Sequence, residues 1–445
     1  MTEIAQPRTT RSSVPPLGLR SLVDPRALAR ATKRGLLAPF LFTLTLRLAL
    51  LVAMPVQPAW DGAIYARIAD DLAEGEGYTH ASIEPSQSRY RTAFFPVGFP
   101  AAIAPLRGLG AGRALDPIAQ CLLGAMIVPI AGLLGRRAAG ARGGRIAAWI
   151  AALWPGGVLL SLSWMSEPLF TLLTSAAVLL VAMARRTRLD RAIAIAALLL
   201  AFAAYVRPTA GIIAVTLVVA GAWARQGSRM ARAKMAARHL AIVGFVFAVV
   251  LAPWALRNLD ALGAPALVST NGGTNMLLGT IGEGRYGAIP PELDCPAESE
   301  IERDRCRTER AWQRIAESPG DAVARTFLKL SHTFGHESGP AELWARSLQL
   351  SDSGRQSARY WALGISRVTW LALLIGAVAG AALLSVARRR VLLATLVAPA
   401  IALAILHSVT IGGDRYHAPA VPAAIALVAV AWVAYRRARA RGPAD

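Results

Sequence analysis

Ten apolar runs, parted by short polar stretches, organise this chain. They lie at about 37–55, 114–135, 146–165, 167–184, 191–206, 208–224, 239–256, 362–386, 391–410 and 417–435. An α-helix rises about 1.5 Å per residue, so about 20 apolar residues cross the roughly 30 Å hydrocarbon core of a bilayer. Runs of this length predict membrane spans, and their number predicts an all-α polytopic bundle. One stretch sets the count at ten or eleven. Phe94 to Leu109 is apolar but broken by Pro96, Gly98, Pro100 and Pro105, and it carries Arg107. If it crossed, every later loop would change sides. Basic loops face the cytoplasm, and this rule chooses. With 94–109 at the interface, Arg136–Arg145, Arg185–Arg191, Arg225–Arg238, Arg388–Arg390 and the tail from Arg436 are all cytoplasmic, and all are basic. With 94–109 as a span, the same clusters face outward. The expectation is ten spans, with interfacial helices in the first outer loop.

This frame divides the chain into a basic, disordered cytoplasmic tail (1–36), a transmembrane core (37–256) whose first outer loop is 56–113, a large outer loop (257–361), C-terminal spans (362–436) and a second cytoplasmic tail (437–445). The first tail is too long and basic for a cleavable signal, and no small-residue cleavage site follows the first apolar run.

Composition agrees with the class. The chain is 55% hydrophobic and only 17% charged, with a mean hydropathy of +0.44. Soluble chains carry about 25% charged residues. The net charge of +21 raises nucleic acid as a partner. Its placement excludes that, because the arginines sit in short clusters between apolar runs, and no nucleic-acid module is present. Lysine occurs only at 33, 234 and 329, against abundant Arg and Ala, which points to a high-GC bacterium and its cytoplasmic membrane.

The outward side collects the candidate chemistry. Its first loop runs Gln57-Pro58-Ala59-Trp60-Asp61-Gly62-Ala63-Ile64-Tyr65. Asp61 is either a helix N-cap for the stretch that follows or a base at the membrane face. Glu167 opens a span with Pro168 behind it, where a carboxylate suits the helix dipole. Ionisable groups near a bilayer are costly and tend to pair or mark a functional path. Arg207, Arg257 and Arg415 each lie at a helix end on this side. Each could simply snorkel. Together they could converge on one lipid phosphate, whose geometry suits the guanidinium fork.

These pieces resemble the bacterial relatives of the protein O-mannosyltransferases, membrane glycosyltransferases of the GT-C fold (glycosyltransferase family 39) that use polyprenyl-phosphate sugars. The matching motifs are Asp61-x3-Tyr65-x3-Ala69 with Gly75-Glu76-Gly77-Tyr78; Phe95-Pro96-Val97-Gly98-Phe99-Pro100; Trp154-Pro155; Ser166-Glu167-Pro168-Leu169-Phe170; Arg207-Pro208-Thr209; Pro253-Trp254-Ala255-Leu256-Arg257-Asn258; Ser269-Thr270-Asn271-Gly272-Gly273; and Arg415-Tyr416-His417-Ala418-Pro419. The resemblance spans about residues 37–435. It implies a GT-C bundle and an essential acid at Asp61. Many members carry Asp-Glu where this chain has Asp61-Gly62, which leaves a second acid unassigned. Glu84 is a loose match to an acid that some relatives carry before the Pro-rich stretch, and Glu167 is a further candidate. The resemblance implies no cofactor, and a divalent metal is not indicated.

The implied chemistry is direct. The donor is a sugar joined by one phosphate to a polyprenyl chain that stays among the membrane lipids. An acceptor hydroxyl attacks the anomeric carbon while Asp61 removes its proton. Arg207, Arg257 and Arg415 stabilise the departing phosphate, and Tyr416 and His417 orient phosphate or sugar. A single displacement inverts the anomeric centre. The acceptor, whether glycan, lipid or protein, is open. Two rivals remain: a lipid-linked-sugar transporter or flippase, and a non-catalytic binder. Transporters place ionisable groups near the bilayer midplane and often show repeats, whereas here they gather at one face.

The large outer loop adds three expectations. Cys295 and Cys306 would pair in an oxidising compartment, whereas Cys121 falls in a span. His332 and His336 stand at i, i+4, a spacing that can share a metal on a helix, although Gly335 intervenes. Ser299–Glu317 and Asp321–Leu330 read as helices of a cap over the outward cavity.

Overall fold

The computed structural model describes residues 35–80, 90–297 and 299–440. Nearly all of the expected first tail, the end of the second, and Glu84 lie outside these. The rest is almost wholly helical. Its helices are α1 (Leu37–Ala53), α2 (Asp61–Ala73), α3 (Gly98–Ile103), α4 (Leu115–Leu153), α5 (Pro155–Ser161), α6 (Glu167–Met183), α7 (Leu189–Val206), α8 (Ala210–Trp223) and α9 (Arg229–Leu262). After these come α10 (Gly272–Leu278), α11 (Glu300–Glu317), α12 (Pro319–Phe334), α13 (Gly339–Ser347), α14 (Asp352–Val386), α15 (Arg390–Val409) and α16 (Val421–Arg439). Two short strands, β1 (Thr79–His80) and β2 (Tyr90–Arg91), pair antiparallel.

Each expected apolar run falls on helix. Among the described residues six helices are long and apolar enough to cross a membrane, and α1, α6 and α8 are shorter apolar helices. One of the six, α4, breaks at Ala139 and Gly140. Gly140 has φ +76°, a conformation that costs glycine little, and the chain turns back there. The second limb of α4, continued by α5, supplies the run expected at 146–165. The molecule is thus the expected all-α polytopic bundle of the GT-C type. Two helices overshoot their apolar runs. Ser228 caps α9 through Ala231 N, and Ser351 caps α14 through Gly354 N, each about ten residues before the apolar run begins. Hydrophobicity marks only the part of a helix that lipid covers, and polar turns continue it into water.

Phe94–Leu109 does not cross. It forms α3 and a following 3₁₀ turn (Ala104–Leu109), which together rise roughly 21 Å, short of the roughly 30 Å core. This hairpin of helices packs on α2. Arg107 donates to Asp70 and Asp116, and Arg113 to Asp70, fixing the loop beneath the bundle mouth.

Small residues allow close packing of the bundle. α4 lies along α1, α6 and α16, while α7 lies along α6 and α9. The segment 257–361 docks through α13, whose Trp344, with Leu348 just beyond the helix, buries against α1, Cys121 of α4 and α5. Gln57 N donates to Ser347 O and Gln349 N to Pro55 O, so the first outer loop and the large outer loop are tied at their roots. The disulfide Cys295–Cys306 staples the entry to α11. At Ser299 and Glu302 a reciprocal capping box starts that helix.

Candidate active site

α2 begins where Trp60 turns the chain at φ +54°. Asp61 opens the helix but makes no side-chain cap, so the N-cap reading fails: the carboxylate points instead to Arg415. Its Oδ2 accepts from Arg415 Nη2 at 3.0 Å. Arg415 Nε lies 3.7 Å from Glu167 Oε1, and Arg207 Nη2 donates to that same oxygen at 2.6 Å. Arg207 Nε also donates to Ser166 Oγ at 3.1 Å. Asp61, Arg415, Glu167 and Arg207 therefore form one alternating chain of charge. Opposite charges at these distances offset part of one another's cost of burial. Glu167 is 1% exposed, and its Oε2 has no partner among the described residues.

Tyr416 sits between the two cations. Its ring centroid is 5.5 Å from Arg207 Cζ and 5.2 Å from Arg415 Cζ, and the ring stacks on His407 at 5.0 Å. A quadrupole between two guanidiniums softens their repulsion and fixes their planes.

This cluster lines a cavity of about 640 Å³. Among the described residues Asp61 and Glu167 are the only acids in its wall. Apolar surfaces from Phe170 of α6, Phe247 and Leu251 of α9, and Leu403 and Leu406 of α15 form the remainder of one side. The Gly- and Asn-rich stretch contributes Ser269, Asn271, Gly272, Thr274 and Asn275, and Tyr286 closes the rim. Burial, and then the nearby Asp61 charge, raise the Tyr286 phenol above its ordinary value, so it remains a hydroxyl donor. Burial raises Tyr65 likewise, with Asp61 again adding to the effect.

Gly62 explains the departure from Asp-Glu. A Cβ there would lie 2.9 Å from Trp164 O and 3.0 Å from Trp164 Cβ. Trp164 itself has φ +54°, so the segment that meets Gly62 is already constrained. The space beside Asp61 is taken by backbone, and Glu167 supplies the second acid of the cavity wall.

Two expected site residues lie elsewhere. Arg257 does not line the cavity. It donates to Thr92 O and Tyr78 O, both at 2.7 Å, and to Asn258 Oδ1 at 3.0 Å, and it lies over Trp254. It pins the first outer loop to α9. His417, at the end of the turn Asp414–His417, is directed away from the cavity that Tyr416 lines. Its Nδ1 is 2.6 Å from Thr333 O and its Nε2 3.1 Å from Glu337 Oε1, with the ring stacked on Trp370 at 3.8 Å. Of the three arginines expected to converge, the structure brings together Arg207 and Arg415, with Tyr416 between them.

Glu337 and Asp414 had no assigned part. Glu337 is 0% exposed and also accepts from Trp154 Nε1 at 2.8 Å. Asp414 Oδ2 accepts from Ser338 N and from Gly339 N at 2.7 Å, with His336 Nδ1 at 3.0 Å. These two acids clamp the turn bearing Arg415 and Tyr416 to the end of α12. In sequence Glu337 is marked only by its place next to His336 in His332-x3-His336-Glu337. The two histidines face different acids, His332 lying 3.2 Å from Glu283 Oε2, and burial lowers the His332 pKa. Among the described residues no cluster of three metal-capable side chains occurs.

The fold and the one-faced charge cluster define a polytopic all-α membrane protein of GT-C type. Solved structures share this fold. The archaeal oligosaccharyltransferase AglB from Archaeoglobus fulgidus, in complex with an inhibitory peptide and a dolichol-phosphate, aligns with a TM-score of 0.53 at 13% identity, over 95% of this chain and 53% of that one. The apo form of the Archaeoglobus fulgidus oligosaccharyltransferase aligns with a TM-score of 0.51 at 14% identity, over 92% and 52%. This chain spans about half the length of those proteins. No protein-family model and no curated protein sequence matches it.

Proposed function

We propose that this chain is an inverting glycosyltransferase that moves a sugar from a polyprenyl-phosphate donor to an acceptor hydroxyl. The observation that carries the reading is the Asp61–Arg415–Glu167–Arg207 chain at the wall of an apolar-sided cavity. A lipid-linked phosphate needs both halves of such a site. The dolichol-phosphate in the AglB complex is a ligand of this chemistry on the same fold. The motif resemblance to the O-mannosyltransferase relatives favours a single sugar on one phosphate.

The steps balance as a single displacement. The acceptor oxygen bonds to the anomeric carbon, and Asp61 takes the hydroxyl proton. The bond from that carbon to the phosphate oxygen breaks, and its electron pair leaves with the phosphate. Arg207 and Arg415 meet the charge that develops there, with the Tyr416 hydroxyl beside them. Arg415 holds Asp61; a phosphate that engages Arg415 would release Asp61 as a base. The Cys295–Cys306 disulfide belongs to the loop helices around the cavity and supports a site on the oxidising, outer face of a bacterial cytoplasmic membrane.

The test is sugar transfer from polyprenyl-phosphate donors by the full chain in vesicles, with wild type against folded Asp61→Asn. The expected loss is about a hundredfold or more, about 2.7 kcal/mol of barrier. Transfer unaffected by the substitution removes Asp61 as base. Retention of anomeric configuration refutes the single displacement.

A further inference from the structure

A second basic site lies at the other end of the bundle. α16 begins four residues after His417 and carries Arg436 fifteen residues beyond Val421, about 22 Å along its axis. There it meets the second limb of α4, just past the Gly140 break. Between them is a cavity of about 410 Å³, lined by Arg142, Arg145, Ile146, Trp432, Val433, Arg436 and Arg437.

Its charge is uncompensated. No acid lines it. Among the described residues none of the four guanidiniums has a hydrogen bond or ion pair, whereas Arg107, Arg207, Arg307, Arg359 and Arg415 are all paired with acids. The 34 residues before Gly35 carry seven basic residues against two acidic ones. Four like charges held on two packed helices, with an open space between them, favour an anion.

The walls say what kind. Ile146 and Val433 give an apolar floor, and Trp432 stands half-exposed beside it, with Tyr435 and Trp149 exposed on the same helix ends. Aromatic residues with one apolar and one wet side mark the interfacial level of a bilayer. A site that joins a fork of guanidiniums to an apolar floor at this level suits a headgroup whose acyl chains remain in the membrane. We propose that this cavity binds the headgroup of an anionic phospholipid. Phosphate oxygens accept from Arg142 and Arg145 on one side and from Arg436 and Arg437 on the other, while the glycerol and first acyl carbons lie on Ile146, Val433 and Trp432.

The test uses the purified full chain in neutral detergent, titrated with short-chain phosphatidylglycerol, short-chain phosphatidylcholine and inorganic phosphate. Phosphatidylglycerol is expected to bind saturably and to weaken with salt. The pairs Arg142→Gln/Arg145→Gln and Arg436→Gln/Arg437→Gln are each expected to weaken it about thirtyfold, at about fivefold per arginine. The second pair lies on a different helix, so one misfolded variant leaves the other informative, and the thermal unfolding midpoint identifies it. Equal binding of phosphatidylcholine overturns the proposal. So does wild-type binding in both pairs. Competition by inorganic phosphate at the same concentration assigns the site to a soluble anion and also overturns it. Sugar transfer is not a readout, so this result and that of the active-site test are independent.

Discussion

Glu337→Ala should be among the most destabilising single substitutions outside the active-site cavity. The carboxylate is fully buried, and Gly156 packs so closely that a Cβ there would lie 2.3 Å from Oε1. Removing it orphans Trp154 Nε1 and His417 Nε2, which now sit 2.8 and 3.1 Å from Oε1. An unsatisfied buried polar group costs about 1–3 kcal/mol, so two of them cost about 2–6 kcal/mol, centred on about 4 kcal/mol. Glu337→Gln keeps the volume and one acceptor oxygen, so it should cost about 1–2 kcal/mol. The assay is denaturant or thermal unfolding of the purified chain in detergent, with Trp154→Phe as partner in a double-mutant cycle. A coupling of about 1 kcal/mol or more is expected. If Glu337→Ala stays within about 0.5 kcal/mol of wild type, the clamp holds nothing and the reasoning is wrong.

Three further outcomes are expected. Gly62→Ala should destabilise by about 1–3 kcal/mol through the contact with Trp164, and Gly62→Glu by more, despite restoring the common Asp-Glu pair; a neutral Gly62→Glu would mean that the Trp164 backbone yields freely. Lys329 is 3% exposed, and burial lowers its pKa from 10.5 to about 8. Below about pH 8 the folded state carries the full cost of the buried charge; between 8 and 10.5 the unfolded state holds more protons, so stability should rise with pH, and Lys329→Met should flatten that rise. Cys295→Ser/Cys306→Ser should lower stability by up to about 3 kcal/mol, from a loop of eleven-residue separation, and a double variant that unfolds with wild type would contradict that.

The bundle was readable because lipid selects on hydrophobicity alone, so each span declares itself without reference to a partner. The interfacial helices were readable from their prolines and from charge placement. The helix ends were not, since Ser228 and Ser351 start α9 and α14 in polar sequence. In the site, Asp61, Glu167, Arg207, Arg415 and Tyr416 converge because all stand at helix ends on one face. Depth is legible in this way, but rotation about a helix axis is not. That is why Arg257 and His417, at the same depth, turn toward Tyr78 and Glu337 instead. Glu337 and Asp414 reach across more than seventy residues to their partners, and no local spacing encodes such a contact.

The clamp sets how the cavity can open. Gly412, Gly413, Asp414 and His417 are bonded to Gly284, Thr333, Gly339 and Glu337, so the turn that carries Arg415 moves with the end of α12 and the start of α13. A cap hinged there would drag the guanidinium off Asp61 each time it lifted. Another part of the rim, from Leu267 to Asn275, is irregular chain and one short helix, held by Thr270 N to Ala93 O and Gly273 N to Asp304 Oδ1. Movement there would leave the Asp61–Arg415 pair aligned.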